Sequence, residues 1–170
     1  TVSCSHSVKP VFDGRSCAFG ADGGVIARGR AFLADVVLCD LASHDTLPPA
    51  NDVVESDIWQ ALVLGTRDYV SKNGFKHVVI GLSGGIDSTL VLLIAADALG
   101  PDCVTAVTMP SRYSSEGTRA DARRLAESIG CSFRELAISD IVDTFDGALA
   151  DAFRGREPDL TEENIQARVR

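Results

Sequence analysis

Hydrophobic positions divide the chain into two textures. From Val11 to Leu41 short apolar runs alternate with turn-forming residues: Val11-Phe12, Asp13-Gly14, Ser16–Phe19, Ala21-Asp22-Gly23-Gly24, then Val25–Arg28. An Asp-Gly-Gly element between short apolar runs predicts a hairpin, because those residues tolerate positive φ. Val36, Val37 and Leu38 form a continuous apolar run and predict a further strand over Asp35–Asp40. Pro48-Pro49 and several small polar residues mark Ala42–Asp52 as linker.

Beyond the linker the spacing changes to an alternation of helix and strand. Ser56 is placed to cap a helix in which Ile58, Trp59, Leu62, Val63, Tyr69 and Val70 recur at helical intervals, until Asn73-Gly74 stops it. His77–Gly81 predicts a buried strand, Asp87–Leu99 a helix ended by Gly100-Pro101, and Val104–Thr108 a second strand. Ala122, Leu125, Ala126 and Ile129 define an amphipathic helix running to Gly130. Cys131–Ile138 predicts a third strand, and Ser139 caps a helix with Ile141, Phe145 and Leu149 on one face. Thr161–Arg170 is again helix-like. This order predicts an α/β unit with a parallel, Rossmann-like sheet, whose ligands bind beyond the carboxyl ends of the strands.

Composition narrows the picture by exclusion. At 45% hydrophobic and 24% charged residues the chain is ordinary for a folded protein, and 170 residues suit one medium domain or a small domain plus part of another. A formal net charge of −8 argues against non-specific binding of nucleic acid, which needs clustered Lys and Arg. Cys4, Cys17, Cys39, Cys103 and Cys131 are odd in number and lack C-x-x-C spacing, so a disulfide framework is not expected and a reducing cytoplasm fits. Cys4-x-His6 has no second pair at metal-ligand spacing. No apolar run reaches the roughly 20 residues that span a bilayer. Met109 is the only methionine and Thr1 the first residue, so the chain is expected to be part of a longer protein.

One loop carries candidate chemistry. The first strand of the α/β unit runs into Gly81-Leu82-Ser83-Gly84-Gly85-Ile86-Asp87-Ser88, and a helix follows at once. A helix start presents unpaired N–H groups and about half a positive charge, which suits an anion. Gly84 and Gly85 allow close backbone approach, and Ser83 and Ser88 add hydroxyl donors. Asp87 would repel a phosphate directly, but fits as a ligand to a magnesium ion bridging to it. A Walker loop is excluded, since no lysine follows Lys76, and the G-x-G-x-x-G dinucleotide pattern is not met. Gly81–Gly85 does match the G-x-S-x-G nucleophile elbow, whose histidine should follow the serine; His6, His44 and His77 all precede Ser83. A tight turn without chemistry is the remaining reading.

Ser83-Gly84-Gly85-x-Asp87-Ser88 resembles the phosphate loop of the ATP-pyrophosphatase enzymes, which cleave ATP between its α- and β-phosphates and adenylate a substrate. GMP synthetases, asparagine synthetases and tRNA-thiolating enzymes share such a loop. Thr108–Ser115, Ala120-Asp121-Ala122, Leu125-Ala126, Glu163–Arg168, Asp68-Tyr69-Val70 and Lys72–Phe75 are similar to segments of NAD synthetases. Phe12-Asp13-Gly14-x-Ser16, Asp22-Gly23, Arg28, Phe32 and Asp40-Leu41 resemble the last strands of the nitrilase-like glutaminase domain fused ahead of the glutamine-dependent members. Residues 1–10 depart from that pattern, so Cys4 receives no role.

The resemblance implies the adenine nucleotide α-hydrolase-like fold, with residues 1–41 closing a nitrilase-like domain, 42–55 a linker, and 56–170 opening the synthetase domain. It implies ATP-dependent amidation of deamido-NAD to NAD, with ammonia from glutamine, in a homo-oligomer that engages neither membrane nor nucleic acid. ATP falls to Gly81, Leu82, Ser83, Gly84, Gly85, Ile86, Asp87 and Ser88, magnesium to Asp87, and deamido-NAD to Asn164 and Arg168. The glutaminase catalytic residues are expected upstream of Thr1, so this segment alone is expected to be inactive. Another adenylating enzyme on the same loop, such as one thiolating tRNA, and a module that senses ATP without chemistry are the alternatives.

Overall fold

The computed structural model describes residues 10–43, 45–50, 53–110, 116–151, 153 and 160–169. Contacts divide the chain into two compact units, one ending at Tyr69 and the other beginning at Val70.

In the first unit, β1 (Cys17–Phe19) and β2 (Val25–Arg28) form the predicted antiparallel hairpin, with Cys17 opposite Arg28 and a bulge between Ala18 and Phe19. The Gly20 N–H reaches the Gly24 carbonyl at 2.8 Å, and Asp22 Oδ1 accepts from the Gly24 N–H at 3.0 Å, closing the turn. Beside the hairpin, the Arg15 guanidinium pairs with Asp13 at 3.1 Å and Asp57 at 2.6 Å and lies over the Phe32 ring. The strand predicted over Asp35–Asp40 does not form. Asp35 carboxylate oxygens instead accept from the N–H groups of Arg30 and Val36, both at 2.9 Å, and Asp40 Oδ1 from Ala42. Such local side-chain bonds compete with a sheet ladder. Val36 and Leu38 are left 88% and 94% exposed.

α1 (Val54–Lys72) starts ahead of Ser56, so that residue is not its cap. The Asp57 N–H already bonds the Val53 carbonyl, and the Ser56 hydroxyl accepts from Gln60 Nε2. Of the predicted apolar stripe, Val70 is buried, whereas Ile58, Leu62 and Tyr69 stay exposed.

The second unit is the predicted α/β arrangement. β3 (Val78–Gly81), β4 (Val104–Thr108) and β5 (Ser132–Glu135) form a parallel sheet in that order, linked by α2 (Ile86–Leu99) and α3 (Glu116–Ile129). Both crossovers step the same way across the sheet, so right-handed connections place both helices on one face; α2 and α3 accordingly touch. Cross-strand partners Val78–Val104 and Ile80–Ala106–Phe133 share that face. They pack with Leu92, Ala95 and Ala96 of α2 and Ala122 and Ala126 of α3. Burying such apolar surface at about 25 cal/mol per Å² is the main force fixing helices to sheet.

β5 is shorter than the predicted Cys131–Ile138, although the N–H of Leu136 still bonds Thr108 at the end of β4 and that of Ile138 bonds Pro110 just beyond it. α4 (Ser139–Leu149) is capped at Ile138 with no side-chain bond, so Ser139 is not its cap. The cap Ile138 and, within the helix, Val142 are buried, while Ile141 and Phe145 face outward. α5 (Leu160–Val169) packs on α4.

Candidate functional site

The site is assembled where β3 meets α2. Leu82 is 2% exposed and donates its N–H to the Val107 carbonyl at 2.8 Å, extending the ladder one residue past the strand. The chain then rises into solvent: Ser83, Gly84, Gly85, Ile86 and Asp87 are exposed, and Ile86 reaches 83%. An isoleucine so exposed beside a well-packed core shows that the turn is shaped by its backbone and not by burial.

Gly84 has φ +83°, a conformation open to glycine and costly for other residues. A β-carbon there would come within 3.0 Å of Thr118 Cγ2 and lie 3.1 Å from the Thr118 carbonyl. The first turn of α3 is therefore the back wall of the loop. Ser88 Oγ accepts from the Ser83 N–H at 3.2 Å, lies 3.0 Å from Ser83 Oγ, and donates to the Gly85 carbonyl at 3.0 Å. Ser83 Oγ in turn accepts from the Gly85 N–H at 3.3 Å. Thr89, which sequence reasoning passed over, donates both its N–H and its hydroxyl to the Gly85 carbonyl. The turn is thus braced by its own hydroxyls, and the N–H groups of Ser83 and Gly85 serve that bracing.

Gly85 is the N-cap of α2 and makes no side-chain cap bond. The helix ladder begins with the Thr89 N–H, so the amides ahead of it have no partner within the helix. An open first turn without a capping side chain is the geometry that accepts an anion. The Asp87 carboxylate projects from this turn and has no ion pair or hydrogen bond among the described residues. Those residues contain no cluster of three or more metal-ligating side chains. A single carboxylate still suits magnesium, which takes one or two carboxylates and fills its remaining positions with phosphate oxygens and water.

The nucleophile-elbow reading finds no support here. Ser83 Oγ meets Ser88 and Gly85, whereas His77, at the opposite end of β3, bonds Thr105 Oγ1 at 2.8 Å. His6 and His44, and with them Cys4-x-His6, lie outside the described residues, as do Ser111–Ser115. Asn164 and Arg168 are exposed one turn apart on α5, whose packing is with α4. The eight loop residues are brought together as one feature; these two stand on a different element.

Comparison with known proteins gives a consistent set of likenesses. The model of the family described as NAD synthase matches residues 58–170. A glutamine-dependent NAD(+) synthetase of Thermotoga maritima is 38% identical, over 94% of this chain and 34% of its own. One of Rhodobacter capsulatus is 44% identical, over 94% of this chain and 30% of its own. The chain therefore spans about a third of the length of these relatives. Among solved structures, glutamine-dependent NAD+ synthetase from Acinetobacter baumannii, in complex with adenosine diphosphate, superposes with a TM-score of 0.75 at 37% identity. That match covers 88% of this chain and 29% of the other.

Proposed function

The chain belongs to the NAD synthase family, and on that premise we propose that the protein carrying it is a ligase that amidates deamido-NAD to NAD at the expense of ATP. The observation that carries this reading is the uncapped start of α2, fed by a glycine turn directly off the end of β3. ATP binds with its phosphates on the loop 81–88. The substrate carboxylate attacks the α-phosphorus, the bond to the β-phosphate oxygen breaks, and pyrophosphate leaves. Ammonia then adds to the acyl carbon and AMP departs. In this scheme the open amides at the helix start offset the negative charge that grows on pyrophosphate, and the brace of Ser83, Ser88 and Thr89 holds them in place beforehand. Each fixed helix-start contribution is about 0.3–1 kcal/mol in exposed settings and larger when shielded. Asp87 holds the magnesium ion, which supplies further neutralisation of the triphosphate.

Glutamine is the proposed nitrogen source because the likeness to glutamine-dependent relatives runs over 94% of the chain, well beyond residues 58–170. Residues 1–41 then belong to the glutaminase side, 42–55 to the linker, and 56–170 to the synthetase side. Asn164 and Arg168, at i and i+4 on an exposed face of α5, are the proposed deamido-NAD contacts. The protein is proposed to work in the cytoplasm as a homo-oligomer, without nucleic acid or membrane as partner. No helix of the described residues is long and apolar enough to cross a membrane.

The test is product analysis on the full-length protein given ATP, deamido-NAD and glutamine. NAD, AMP and pyrophosphate in equal amounts are expected; ADP in place of AMP would overturn the reading.

A further inference from the structure

The phosphate loop has two supports, and only one lies within it. Its own hydroxyls brace the turn from the α2 side. On the other side Thr118 lies against Gly84, so close that no β-carbon fits between them. Thr118 belongs to a stripe on α3, with Ala122 and Ala126 at successive i+4 steps; the latter two are 1% and 0% exposed and share the core with Leu82, the residue before the loop rises. The lower part of α3 is therefore fixed by packing.

The first turn of α3 stands beyond that packing, at the level of the exposed loop, and is fixed differently. Arg119, next to Thr118, forms a close ion pair with Glu135, the last residue of β5. Arg123, one turn further, lies 4.0 Å from the same carboxylate and 5.2 Å over the Phe133 ring. Glu135 is thus a peg on the carboxyl end of the sheet, and two arginines of α3 grip it from one side. Both pair members are partly buried, at 40% and 27% side-chain exposure, so solvent screening weakens the contact without removing it.

We propose that Arg119 and Glu135 are positioning residues for the phosphate loop: their ion pair ties the first turn of α3 to the sheet and so holds Thr118 against Gly84. This deepens the ligase reading, because it supplies a rigid rear wall to the site on which that reading rests. A single pair still open to solvent contributes little to global stability, yet a loop that must place several amides around one anion is sensitive to displacements of a fraction of an ångström. The two consequences separate: loss of the pair should cost nucleotide affinity out of proportion to stability.

The experiment uses the full-length protein and its Arg119→Met, Arg119→Lys and Glu135→Gln variants. Three quantities are read: the dissociation constant for magnesium–ATP, the KM for deamido-NAD, and the melting temperature. Arg119→Met and Glu135→Gln are expected to weaken ATP binding about five- to tenfold, with the deamido-NAD KM within twofold and the melting temperature within a few degrees of wild type. Arg119→Lys keeps the charge and is expected to recover most of the affinity. Unchanged ATP affinity in both neutral variants overturns the proposal, as does equal weakening by Arg119→Lys, or parallel losses in all three quantities. Wild-type protein that binds ATP but forms no AMP refutes the ligase reading alone, since the affinity series still judges the anchor. Wild-type protein that does not bind ATP refutes both.

Discussion

Replacing Gly84 with alanine probes the loop at its tightest point. Two costs can be worked from the structure. The residue sits at φ +83°, where an L-residue is less stable by roughly 1–2 kcal/mol. Its new β-carbon would also fall within 3.0 Å of Thr118 Cγ2 and 3.1 Å from the Thr118 carbonyl; the methyl can rotate, but the carbonyl belongs to the helix backbone. Overpacking of this kind costs about 1–3 kcal/mol. The sum, about 2–5 kcal/mol, must appear either as lost stability or as a loop pushed outward that binds ATP less well, at a factor of ten per about 1.4 kcal/mol. Urea unfolding and ATP titration on the same samples capture both shares. Adding Thr118→Ser removes the methyl and keeps the hydroxyl, so the double variant should regain about 1–2 kcal/mol while the backbone strain persists. A Gly84→Ala protein within about 0.5 kcal/mol of wild type in both measurements, or no recovery on adding Thr118→Ser, would refute the reasoning.

Two further predictions follow from side-chain chemistry. Asp87→Ala should reduce adenylation by about 10²–10³-fold and weaken ATP binding in magnesium far more than in EDTA; wild-type turnover in that variant would remove the metal role. Burial, and then the nearby Asp102 carboxylate, push the Cys131 thiol up. As pH rises through the ordinary thiol range the unfolded chain therefore releases this proton before the folded one does, and stability falls. Cys131→Ala should lessen that fall above pH ~8.5, as read by urea midpoints across pH, and Cys131 should label later than the exposed Cys17 and Cys39. A Cys131→Ala protein with an unchanged pH profile would contradict this.

The α/β unit was legible because its signals are local. An apolar run gives a strand, and glycine after a helix-forming stretch gives a helix end; β3, α2, β4 and α3 follow from these. Of the two strands only β4 is buried, whereas β3, expected to be buried, alternates half-buried and exposed positions with Val79 66% exposed. The loop 81–88 was legible for the same reason, since its glycines, hydroxyls and helix start are contiguous. What the sequence hid depends on competition or on tertiary placement. Val36–Leu38 has strand composition, yet the carboxylates of Asp35 and Asp40 capture neighbouring N–H groups and the segment stays irregular. The buried side of α4 lies at Ile138 and Val142 and not at Ile141 and Phe145, a rotation that packing decides and periodicity does not. Thr118 carries no motif; only the parallel sheet order, which sets α3 beside α2, brings it against Gly84.

Amide hydrogen exchange across residues 81–90, with and without nucleotide, bears most directly on the central claim that the start of α2 is a seat for polyphosphate. Magnesium–ATP and magnesium–pyrophosphate should each slow exchange at Ile86–Ser88, and adenosine should not. Protection by adenosine alone, or no change at these amides while ATP protects another part of the chain, would contradict the account.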